Sequence, residues 1–125
     1  MPLLSQPKYL GDVVKFEDDM KLYSRDTVTL ITGQNLAVGT VVSIITASGK
    51  ITQLNTAGAD GSQLAVGVLV EDVNATAADV LTTIIARFAV VADNGLTWPG
   101  GITAPNKVTA TNQLKTAGII VRQGA

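Results

Sequence analysis

Val41-Val42-Ser43-Ile44-Ile45-Thr46-Ala47-Ser48-Gly49-Lys50-Ile51-Thr52-Gln53-Leu54 consists of two β-branched runs joined by Ser48-Gly49. Valine, isoleucine and threonine are stiff at χ1 and pack well on a pleated surface, whereas serine and glycine favour a turn. The stretch predicts two antiparallel strands, 41–47 and 50–54, closed into a hairpin. Short runs of this kind, broken by Gly, Asn, Asp and Ser, recur from Thr27 onward.

Upstream, Thr27–Thr32 alternates, with Val28 and Leu30 on one face. Downstream, Leu64, Val66, Val68 and Val70 alternate while Ala65 and Leu69 occupy the other face, which predicts a central strand covered on both sides. Ile84–Val91 is the most apolar run and has one charge, Arg87. It leads into Asp93-Asn94-Gly95, a type I′ turn signal, so Leu96-Thr97-Trp98 is expected to return as the second arm of another hairpin. Ile119-Ile120-Val121 forms a last strand. Two short helices are expected: one at Thr76-Ala77-Ala78-Asp79, which resembles a capping box, and one over Thr109–Ala117 with Gly118 as its C′ residue. The reading is a mainly β, compact single domain of short antiparallel strands with two short helices, spanning 27–125 and preceded by an extended N-terminal arm, 1–26.

Charge separates these two parts. Nine of the 19 charged side chains lie in residues 1–26: Lys8, Asp12, Lys15, Glu17, Asp18, Asp19, Lys21, Arg25 and Asp26. The body is correspondingly charge-poor in a chain of mean hydropathy +0.34. Such a surface favours burial in an oligomer or on a larger assembly. The arm holds too little apolar surface to order itself, yet Leu10, Val14 and Phe16 share one face of a possible strand, with Val13, Lys15 and Glu17 on the other. A segment of this kind suits pairing with a sheet edge that it does not own.

The inventory also bounds the chemistry. The 125 residues include no cysteine and no histidine, which removes thiolate metal sites, disulfides, cysteine nucleophiles and the usual general base near neutral pH. An enzyme is not expected, nor is a cofactor. A net charge of −1 points to no direct nucleic-acid partner, and no apolar stretch approaches a membrane span. Met1-Pro2-Leu3-Leu4 lacks the pattern of a secretion signal, so a soluble, unexported protein is expected. Ser5-x-x-Lys8 lies in the arm without companion motifs. Asn74-Ala75-Thr76 is a sequon better explained by helix capping. Glu17-Asp18-Asp19 and Glu71-Asp72 read as solvated charge rather than a cation loop. Lys50 beside its turn only superficially resembles the modified lysine of a carrier domain. Trp98, the single tryptophan, is either a core anchor or a subunit-interface anchor.

Several segments, taken in order, resemble the lambda-type phage head decoration proteins: Gly33-Gln34, Leu36, Gly39-Thr40-Val41, Asp60-Gly61, Ala65-Val66-Gly67-Val68-Leu69, Leu96-Thr97-Trp98-Pro99 and Gly118-Ile119-Ile120-Val121. The opening through Ser24-Arg25-Asp26-Thr27-Val28-Thr29-Leu30 also looks like the junction of arm and body in that family. The resemblance implies a homotrimer on the exterior of the expanded capsid, a non-enzymatic clamp on the phage major capsid protein that resists the pressure of packaged DNA. It also implies a virion protein made in the host cytoplasm, whose N-terminal arm, with Leu10, Val13, Val14 and Phe16 as its contact residues, adds a strand to a capsid-protein sheet. Another virion part, of the tail or spike, is the alternative reading, and a carrier-type β domain a more distant one.

Overall fold

A computed structural model describes residues 13–17 and 24–123. The chain order is β1 (Val14–Glu17), β2 (Arg25–Leu30), β3 (Gln34–Leu36), β4 (Val41–Ile44), β5 (Ile51–Gln53), β6 (Gly67–Leu69), β7 (Val73–Ala75), β8 (Val80–Ile85), β9 (Ala89–Ala92), α1 (Ala104–Ala117) and β10 (Ile119–Arg122). Five strands close a barrel in the order β2-β5-β4-β6-β8. A three-stranded sheet, β1-β9-β10, and the β3-β7 pair complete the sheet structure. The mainly β expectation therefore holds, with one α-helix in place of two.

The hairpin read from 41–54 is present, with Val42 opposite Gln53 and Ile44 opposite Ile51. Its strands are shorter than expected because Ile45–Lys50 forms the connection. The central strand is also present, shortened to β6, which lies between β4 and β8. Both faces are covered: Val68 belongs to one core cluster and Leu69 to the other. Val41 and Val42, and Ile84 and Ile85, divide in the same way. Adjacent apolar residues in these strands thus face opposite cores, which accounts for apolar runs without alternation.

Three expectations are corrected. Ile84–Val91 is two strands, not one, since the backbone turns at Arg87-Phe88, where Phe88 takes φ +56°. Asp93–Gly95 is a 3-10 turn, and 96–98 does not pair back with β9. Instead the Thr97 N–H donates to Gly39 O and the Val41 N–H donates to Thr97 O, so the returning segment lies beside the start of β4. Gly39, at φ +91°, permits this approach, because a Cβ there would stand 2.5 Å from Gly95 O. Thr76-Ala77-Ala78-Asp79 is a bend rather than a helix: Thr76 Oγ1 donates to Asn74 Oδ1, and Asp79 is engaged with Thr32 and Lys50. A local side-chain bond competed successfully with the helix.

The helix near the C-terminus begins at Ala104, capped by Thr103, with Pro105 in its first turn and Gly118 ending it at φ +97°. Thr109, at the expected start of the helix, is an interior residue whose hydroxyl donates to Pro105 O. Because α1 links β9 to β10, the two strands run parallel, Ile119 pairing beside Ala89 and Arg122 beside Ala92. The β2–β5 contact is parallel as well, so the domain is not wholly antiparallel.

Candidate functional site

β1 lies on the outside of β9, with Val14 opposite Val91, Phe16 opposite Val90 and an irregularity between Val14 and Phe16. Val13 is fully buried in the core cluster that also holds Val91, Leu114 and Ile119. The segment read as suited to a foreign sheet edge thus pairs with an edge of its own chain, at least over residues 13–17. Leu10, Ser5, Lys8, Asp18 and Asp19 lie outside the described residues.

Phe16 remains 53% exposed, and Phe88, from the turn between β8 and β9, is 49% exposed. Their rings meet edge to face with centroids 6.0 Å apart. The positive φ of Phe88 is rare for a bulky residue, and the neighbouring chain holds it in place. Gly118 approaches so closely that a Cβ there would lie 3.2 Å from Phe88 N. Two guanidinium–carboxylate pairs flank the rings. Arg25 donates through Nε and Nη2 to the two oxygens of Glu17, which also accepts from Ser24 Oγ at 2.7 Å. Arg87 donates to both oxygens of Asp26 at 3.0 and 2.7 Å. Bidentate geometry fixes both planes and so the strand ends that carry the aromatic rings.

The remaining candidates have structural uses. Lys50 donates to Asp79, whose carboxyl is held below its ordinary value by that bond and by the Thr32 N–H. Glu71 accepts from Thr82 Oγ1 and Asp72 accepts from Val38 N. The Trp98 ring packs against the core cluster and carries Lys107 Nζ 5.5 Å from its centroid, while its indole N–H is buried without a partner among the described residues. The exposed aromatic pair and the Phe88 turn were missed in the sequence. An apolar residue next to Arg87 within an apolar run gave no signal of a break.

Among the described residues no group of three or more acidic side chains could hold a metal ion, and no helix is long and apolar enough to cross a membrane. The described residues form a barrel with two core clusters and an exposed aromatic pair, a fold without a site for catalysis or a metal among them. Residues 3–119 match the family of bacteriophage lambda head decoration protein D, and the chain belongs to that family. No curated protein matches it. The chain is a structural protein of the phage head, associated with the virion capsid.

Proposed function

We propose that the chain binds as a homotrimer to the outer surface of the expanded capsid and stabilises it against the pressure of packaged DNA, contacting the major capsid protein and acting without catalysis or a cofactor. The observation that carries this reading is the family match over residues 3–119. Its supply in the host cytoplasm before assembly belongs to the same reading. Three weak contacts in one trimer raise avidity by factors of about 10² to 10⁴ over one.

We assign the capsid contact to Leu10, Val13, Val14 and Phe16, in β1 and the residues before it, with Phe16 presenting an exposed ring and Val13 anchoring the segment to the body. The exposure of Phe16 and Phe88 supports this assignment, since large exposed apolar groups side by side favour a partner. Trp98 serves as the anchor beneath the 99–102 loop, its ring against the core cluster. Co-sedimentation with expanded, undecorated capsids tests the function. Saturable binding is expected, and absence of binding at tens of micromolar protein would overturn it.

A further inference from the structure

Most charged side chains of the described residues are accounted for inside the chain. Arg25–Glu17, Lys50–Asp79, Arg87–Asp26 and Lys107–Asp93 are ion pairs. Lys15 is engaged, and Asp60 accepts from Ser62. Lys115, Arg122, Glu71 and Asp72 have no ion-pair partner among the described residues, and they form two patches of opposite sign. Lys115 and Arg122 line one groove with Thr111, Asn112, Ile120 and Val121, between α1 and β10. Glu71 and Asp72 sit together, exposed, on the turn between β6 and β7.

The groove has a second property. β10 pairs only with β9, so its outer backbone edge is open among the described strands. An open edge invites an extended segment, and two cations beside it select an acidic one. The exposed Glu71–Asp72 bend is acidic, its carboxylates accepting from Thr82 Oγ1 and Val38 N.

We propose that the groove between α1 and β10 receives the Glu71–Asp72 turn of a second copy, forming a head-to-tail contact within the trimer proposed above. A two-fold contact through either patch would set like charges against each other, which is unfavourable. A head-to-tail contact matches them, and repeated contacts of that kind close into a ring. The inference rests on the trimer reading and names the surfaces that hold it together.

Sedimentation equilibrium of the full chain distinguishes the two. The variant Lys115→Glu/Arg122→Glu changes exposed side chains only and should stay folded by circular dichroism while its trimer dissociation constant rises about tenfold or more. Glu71→Lys/Asp72→Lys should weaken association in the same way, and combining all four changes should restore it. Because Asp72 holds Val38 N, Glu71→Lys alone serves if the double variant fails to fold. A folded Lys115→Glu/Arg122→Glu variant that remains trimeric with the wild-type constant would overturn the inference and leave the trimer reading intact. A monomeric wild type would overturn both.

Discussion

Asp79 shows how a single exposed carboxylate ties distant parts of the chain together. It accepts from Lys50 Nζ and from Thr32 N, joining the β7–β8 connection to the β4–β5 turn and to the segment after β2. Its folded pKa lies below the ordinary 3.8, chiefly through the Lys50 bond. The contribution is therefore fully present above the unfolded value and lost as pH falls through the folded one. Asp79→Asn should lower the urea midpoint at pH 6, and the deficit should shrink as the pH drops below about 4. Asp60, lowered by its bonds to Ser62, adds to the same acid sensitivity. Leu114 sits at the opposite extreme, fully buried where α1 meets both sheets. Leu114→Ala should cost about 2 to 5 kcal/mol by equilibrium unfolding, with little change in charge or surface.

The helix depends on its ends as well as on its one buried stripe. Only Ala110 and Leu114 of α1 are buried, and Val108 is 60% exposed, so packing contributes along a narrow stripe. The Thr103 cap and the Gly118 terminus must therefore matter. Thr103→Ala should cost about 1 kcal/mol, and Gly118→Ala more than the roughly 1 kcal/mol of a left-handed alanine, because its Cβ presses on Phe88 N. Thermal unfolding of both variants checks the order. The same narrow stripe explains what the sequence concealed. Gly118 and Leu114 marked the end of the helix, but residues 104–108 offered no apolar periodicity to mark its beginning. Runs with β-branched residues and a clear turn, such as 41–54, were legible because local preference and tertiary pairing agree. Asp93-Asn94-Gly95 was not, because the long-range bonds of Thr97 to the start of β4 outweighed the local turn preference. In the candidate site, Val14 and Phe16 were visible from their spacing. Phe88 was not, since a left-handed phenylalanine is a tertiary imposition that no local pattern announces.

At the scale of the whole molecule, the structure separates two truncations. Removing residues 2–10 leaves Val13 and β1 in place, so the body should unfold at the wild-type temperature while capsid co-sedimentation falls sharply. Removing residues 2–20 also takes Val13 from the core and Glu17 from Arg25 and Ser24, and should lower the unfolding temperature as well. Undiminished capsid binding by the shorter deletion would remove Leu10 from the contact and leave it to β1 and the body. Phe16→Ala refines the assignment: its exposed ring contributes little to folding, so a loss of binding without a loss of stability is the expected outcome.

The pairing of β1 with β9 has a consequence for how the chain acquires its shape during synthesis. Val14 emerges early, but its partner Val91 follows 77 residues later, and β10 must add to β9 from the other side after α1 has formed. Because such distant pairings require closure of a large loop before they are rewarded, folding should be slow, on the millisecond-to-second scale of high-contact-order domains. Until Val91 appears, β1 has no strand to pair with. Nascent chains arrested before residue 90 should therefore leave the N-terminal segment open to protease, and protection should arise only once the last strand has left the ribosome.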